Sequence, residues 1–176
     1  MTVQPSKELE QVAQEAHAAW ERGDDEWFKA HLSAHNPIML GSDPEEQMIG
    51  ADAVTESTTE ELANRDQYAF KATAPRIIDA RESGDIGWTL TESRWEFEDG
   101  SYVPVRGLSV LHREDGVWKL IAGVTAPAIS NELLRPGSPI AQPARATAQR
   151  QPHHKQASKP RWRKVVSEAL IGSRRC

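Results

Sequence analysis

Cysteine is almost absent from this chain of 176 residues: the single one, Cys176, is the last residue. No intrachain disulfide can form, and the reducing cytoplasm is the expected compartment. Long apolar runs are missing too. Mean hydropathy is −0.62, and no stretch approaches the ~20 apolar residues that a membrane-spanning helix requires. The opening residues, MTVQPSKELEQ, carry neither a basic head nor an apolar run, so no secretory leader is expected. Gly-rich phosphate loops, Cys/His metal sets and Ser-His-Asp arrangements are also missing, so no cofactor or metal is expected. There is no internal repeat.

Charge of one sign is scarce in each part of the chain. Residues 1–135 carry 25 acidic and 12 basic side chains, a net of −13, whereas residues 136–176 carry one acid, Glu168, and nine bases, a net of +8. The first block repels phosphate, which argues against nucleic-acid binding by a folded domain there. The second lies in a stretch of Pro, Ala, Gln, Ser and Arg that cannot bury enough apolar surface to fold, so residues 136–158 read as a disordered linker. Within 159–176, Trp162, Val165, Val166, Ala169 and Leu170 share one helical stripe ringed by Arg and Lys. Such a basic amphipathic segment is expected to dock on the acidic domain of its own chain or on another anionic surface.

Helical spacing is clear from Ser6 to Arg22, where Leu9, Val12, Ala13, Ala16, Ala19 and Trp20 recur on one face. Ser6 is placed to cap this helix and Gly23 to end it. Asp24 caps a short second helix through Leu32, anchored by Trp27 and Phe28. Pro37–Gly41 reads as a short buried strand, and a third helix is expected from Gly50 to Asn64. Strand patterns then take over at 69–81, 86–97, 102–113 and 117–126, with turns at Gly84-Asp85, Asp99-Gly100 and Asp115-Gly116. Three helices followed by a four-stranded antiparallel meander make an α+β domain over residues 1–135.

In that order of elements, Gly41-Ser-Asp-Pro-Glu-Glu-Gln-Met-Ile-Gly50 resembles the Gly-Thr-Asp-Pro…Glu…Gly signature of SnoaL-like proteins, members of the nuclear transport factor 2-like superfamily. Val105–Ile121 resembles their Arg-x-Thr-x-Val…Asp-Gly-x-Trp-x-Ile hairpin. The resemblance spans about residues 6–134. It implies helices packed on a curved antiparallel sheet that encloses an apolar pocket, and a homodimer. Relatives use the pocket for isomerase, dehydratase, cyclase or epoxide hydrolase chemistry, or as binding and assembly domains, so fold does not fix function.

The expected function is binding of a small apolar or aromatic molecule. One alternative is a cofactor-free lyase or isomerase acting on a small apolar, polyketide-like or steroid-like substrate; another is a structural dimerisation module. Relatives often carry a histidine on the last strand, but here Ala122 and Val124, which alternation places on the face of Trp118, are apolar. Asp43 and Arg106 are the candidate base and oxyanion partner. Each has a structural alternative: Asp43 in the turn hydrogen bonds of its Ser-Asp-Pro bend, Arg106 in an ion pair with Asp43 or Glu92. Trp27, Trp88, Tyr102 and Arg106 are the candidate ligand contacts, against core and interface packing for the tryptophans. His31 and His35 have the i,i+4 spacing of a metal pair, but Pro37 ends the helix and no third ligand is evident.

Overall fold

A computed structural model describes residues 2–43 and 45–130. The expectations for 136–158 and 159–176, and for the docking of the latter, lie outside the described residues. The first helix, α1 (Lys7–Arg22), has Ser6 at its N-cap, where the hydroxyl accepts from the Leu9 N–H at 3.3 Å. Glu8 and Glu10 sit in the first turn against the positive end of the helix. Gly23, at φ 68°, closes it in the left-handed conformation. Asp24 caps α2 (Asp25–Ala30) by accepting from the Trp27 N–H at 3.1 Å. This helix stops two residues short of Leu32 because the chain there joins the sheet. Leu120 donates to the His31 carbonyl at 2.7 Å and Ser33 donates to the Leu120 carbonyl at 3.0 Å. The third helix, α3 (Ala51–Asn64), starts after Gly50 and runs into a single 3-10 turn, Arg65–Gln67.

Among the described residues, eight strands form one sheet: β1 (Gln4–Pro5), β2 (Ile38–Leu40), β3 (Gln47–Ile49), β4 (Phe70–Ala72), β5 (Arg76–Ser83), β6 (Ile86–Phe97), β7 (Tyr102–Glu114) and β8 (Val117–Pro127). Their order is β1-β5-β6-β7-β8-β2-β3, with β4 also paired to β6. The meander β5 to β8 matches the expected strands and turns. Three points differ. The segment 69–81 is two strands, interrupted before Arg76 where Pro75 cannot donate a ladder hydrogen bond, so β4 and β5 pair with opposite halves of β6. β2 runs parallel to β8, so the sheet is mixed. β2 is also not buried: Ile38 and Leu40 are exposed. Strands β1 and β3 have no signal in the sequence.

The registers separate the two faces of the sheet. On the inner face, α1 lies across β5–β8, and Leu9, Ala80, Leu111 and Trp118 form a buried cluster with Val12 and Ile77 against it. Trp118 is 2% exposed. Gly87 is required there, since a Cβ would fall 2.4 Å from the Leu9 Cδ1 and 3.3 Å from the Trp118 ring. The Arg113 guanidinium covers the other side of that ring at 4.2 Å. Among the described residues, no helix is long and apolar enough to cross a membrane.

Candidate functional site

Beyond the Trp118 cluster the inner face changes character. Thr89, Thr91 and Ser93 of β6 stand opposite Ser109, Gly107 and Val105 of β7, and Ser109 and Gly107 stand opposite Gly123 and Thr125 of β8. Apart from Val105, every one of these is a glycine or a small hydroxyl residue. Thr91 donates to the Gly107 carbonyl at 3.4 Å, and the Met39 Sδ lies 2.6 Å from where a Gly123 Cβ would stand. Thr89 and Val105 are buried, but Thr91, Ser93, Ser109 and Thr125 stay partly open to solvent although they face inward. Protein interiors pack to crystal density with larger side chains. This face is instead a shallow hydroxyl-bearing floor.

A row of aromatic rings continues from that floor. Trp95 follows Ser93 by two residues, so it shares the same face of β6. Its ring stacks on Phe70 at 4.7 Å, Phe70 on Tyr68 at 5.3 Å, and Tyr68 on Trp20 near the end of α1 at 6.2 Å. Phe97 meets Phe70 edge-on. None of these five rings is fully buried.

A half-buried carboxyl stands apart on the third helix. Glu61 lies seven residues, about two helical turns, after Val54 and next to Leu62, both buried, so it falls near the inward stripe of α3. Burial pushes it up to about 7, with the carboxylates of Glu46 and Glu60 adding to the effect. The neighbouring Tyr68 is pushed up to about 12, by burial first and then by the same carboxylates, that of Glu61 foremost. The nearest cation along the helix, Arg65, is engaged elsewhere. Its Nη1 donates to the Leu62 carbonyl at 2.8 Å, and its guanidinium lies over Gly23. Among the described residues no cation pairs with Glu61. A glutamate late in a polar helix reads as solvated, which is why the sequence did not mark it; its spacing from Val54 is the one signal available.

The residues singled out from sequence lie elsewhere. Asp43 is in the β2–β3 turn, where its Oδ1 accepts from the Glu45 N–H at 2.8 Å and its own N–H donates to Glu46 at 3.0 Å. Val105 and Leu111 are buried on the inner face, so Tyr102 and Arg106, at the alternate positions of β7, are on the outer one and exposed. Arg106 Nε lies 3.5 Å from Glu92 Oε1, and Arg76 holds the other oxygen of that carboxylate at 2.6 Å. The Arg94 guanidinium covers the Tyr102 ring at 4.7 Å. Trp88 pairs with Val110 on the outer face, and Trp27, within α2, stacks on His31 at 3.9 Å. The structure therefore does not bring Asp43, Arg106, Trp27, Trp88 and Tyr102 together.

The placement of Ala122 and Val124 is corrected as well. Leu111 pairs with Leu120 but Val110 pairs with Ala122, so one extra residue bulges from β8 at Ile121. Beyond that bulge the faces exchange. Ala122 and Val124 point outward, and Gly123 and Thr125 continue the face of Trp118. Among the described residues, no group of three or more His, Cys, Asp or Glu is placed to hold a metal ion. His31 Nδ1 lies 2.8 Å from the Trp27 carbonyl instead.

The family model for the SnoaL-like domain matches residues 9–129. This chain belongs to the SnoaL-like family. No protein of curated function matches it. Among solved structures, it is similar to a domain of unknown function with a cystatin-like fold from Nostoc punctiforme, at 11% identity and a TM-score of 0.61, covering 97% of this chain and 99% of that one. A nuclear transport factor 2-like protein of unknown function from Pseudomonas putida gives 15% identity and a TM-score of 0.57, over 73% of this chain and 89% of that one. A protein called a candidate dehydratase of the same superfamily, from Streptomyces avermitilis, gives 19% and 0.54, over 70% and 96%. At these identities the likenesses establish the α+β fold with its curved sheet, and nothing about chemistry.

Proposed function

We propose that this SnoaL-like domain binds a small apolar or aromatic molecule on the inner face of its sheet, between the hydroxyl-bearing floor and the row from Trp20 to Trp95. One observation carries the reading: inward-facing positions of β6, β7 and β8 are small yet remain partly open to solvent. A ligand there would bury flat surface against the rings and find hydroxyl partners in Thr91, Ser93, Ser109 and Thr125. The lyase or isomerase alternative built on Asp43 and Arg106 finds no support in the geometry, because Arg106 faces outward and Asp43 serves its turn.

Titration with naphthylmethanol, followed by tryptophan emission and calorimetry, tests the binding reading. Saturable binding is expected in the wild type. In Ser109→Leu, which fills the floor, it should weaken at least tenfold while the circular dichroism spectrum is retained. Equal affinity in the two proteins would remove the inner face as the site.

A second reading concerns the outer face and stands beside the first. Ile38, Leu40, Leu108 and Ile49 are exposed, Ile49 at 62%, and Trp88, Leu90, Val110, Ala122 and Val124 share their side of the sheet. A contiguous apolar patch of this kind marks an association surface. We propose that it is where the domain forms a homodimer, the partner being a second copy of this chain in a reducing, cytoplasmic setting.

A further inference from the structure

Resting on the binding reading above, we infer that the inner-face site takes a neutral molecule bearing a hydroxyl group, and that Thr91, Ser109 and Thr125 read that hydroxyl. The registers set these three side chains around a single gap. Thr91 of β6 and Thr125 of β8 stand on either side of Gly107 in β7, and Ser109 follows on the same face of β7, opposite Gly123. Directly opposite positions on paired strands are about 4.5–5.5 Å apart at Cβ. Gly107 puts no side chain between its two neighbours. The Thr91 hydroxyl leans into that space, its Oγ1 only 2.8 Å from where a Gly107 Cβ would stand. Met39 of β2 lies over Gly123 and walls the gap on that side.

The hydrogen bonds of the floor decide what a ligand must bring. Thr91 donates to the Gly107 carbonyl at 3.4 Å, so its oxygen has only lone pairs left to offer. A ligand oxygen that meets it must carry a hydrogen. Among the described residues, the Ser109 and Thr125 hydroxyls make no hydrogen bond within the protein, and both residues are half-buried. Either is able to donate to that same ligand oxygen. One hydroxyl on the ligand satisfies both demands, donating to Thr91 and accepting from Ser109 or Thr125. An ether in its place accepts but leaves Thr91 without a donor, and a site shaped for a hydroxyl rejects such an analogue.

The same face disfavours a charged ligand. Of the described inward positions on β6, β7 and β8, only Arg113 is charged. It lies beside Trp118 and is held by Glu8 at 2.8 Å and Glu82 at 3.6 Å. A carboxylate moved onto the floor loses hydration and meets no opposite charge on the sheet, which costs more than a hydroxyl contact returns.

The experiment is calorimetry on the full chain at pH 7 with naphthylmethanol, its methyl ether and naphthoate. The ether keeps the flat body and the oxygen and exchanges only the hydroxyl hydrogen for a methyl. The alcohol is expected to bind roughly five- to tenfold more tightly than the ether, the size of one hydrogen bond, with naphthoate weaker than the alcohol. In Thr91→Val the ratio of alcohol to ether affinity should fall to about one, whatever the change in affinity common to both. Equal binding of alcohol and ether by the wild type, a ratio that survives Thr91→Val, or naphthoate binding as tightly as the alcohol overturns the inference while the binding site stands. If none of the three binds, the site and the inference fall together. Should Thr91→Val not fold, Thr125→Val carries the same comparison, and a ratio unchanged from the wild type there overturns the inference.

Discussion

Ser33 is fully buried, and its hydroxyl does two things at once: it donates to Glu114 Oε1 and accepts from the His35 N–H at 3.0 Å. The hydrogen bond from Ser33 holds the Glu114 carboxyl below the usual range, helped by His112, His35 and Lys119. A carboxylate with a lowered folded pKa stabilises the protein above its unfolded value near 4.5 and loses that contribution as pH falls through the folded value. Ser33→Ala should therefore cost about 1–2 kcal/mol at pH 7 by urea denaturation, with the cost shrinking below pH 4. Glu61 has the opposite sign. Its folded pKa is raised, so the wild type loses stability as pH rises from the unfolded value of 4.5 through about 7. Glu61→Gln should be more stable than wild type by about 1–3 kcal/mol at pH 8 and nearly equal to it at pH 4.5. Neither residue was legible in the sequence, because a buried serine and a carboxyl without a counter-ion acquire their properties only from partners far along the chain. The Arg106–Glu92 pair was legible as one of two alternatives, since the pairing register follows directly from the Asp99-Gly100 hairpin.

At the scale of elements, local signals served well where the chain supplies its own punctuation. Ser6 and Gly23 bound α1, Asp24 starts α2, and the Asp-Gly turns set the strand registers. Failures occurred where tertiary pairing overrides the local pattern. α2 is cut short by the Leu32–Leu120 bridge, and β1 and β3 exist only because β5 and β2 offer them edges. The bulge at Ile121 mattered most: one extra residue reversed the faces of half of β8 and moved the inner surface from Ala122 and Val124 to Gly123 and Thr125. Trp118 lies before the bulge and keeps its place in the core, although its Nε1 finds no hydrogen-bond partner among the described residues. Trp118→Ala should cost about 3–5 kcal/mol in urea denaturation, as for other buried aromatic truncations. A loss below ~1 kcal/mol would mean that α1 does not rest on this face.

For the whole molecule, the sheet has two faces of different character, and the sequence showed the alternation without showing which side was which. The inner face meets α1 and carries the small hydroxyl floor. The outer one presents Ile38, Leu40 and Leu108, which register places on neighbouring strands β2, β8 and β7 through Val124. Burying such a strip against its own copy is favourable at ~25 cal/mol per Å² of apolar surface, before the cost of association. Polar pairs border it: Arg106 and Arg76 with Glu92, and Arg81 with Asp79 at 2.9 Å. These can stay solvated at a rim while the aliphatic centre closes. Leu108, on β7 at one side of the strip, lies 39% exposed, so a charge there disrupts the strip directly. Light scattering should give twice the chain mass for the wild type at micromolar concentration and one chain mass for Leu108→Asp. Ligand binding at the inner face should persist in that variant, since Leu108 touches only the other side of the sheet. A wild type that stays monomeric, or a Leu108→Asp protein that stays dimeric, would assign the exposed strip another role. Loss of the ligand together with the dimer would mean that the two faces are coupled through β7.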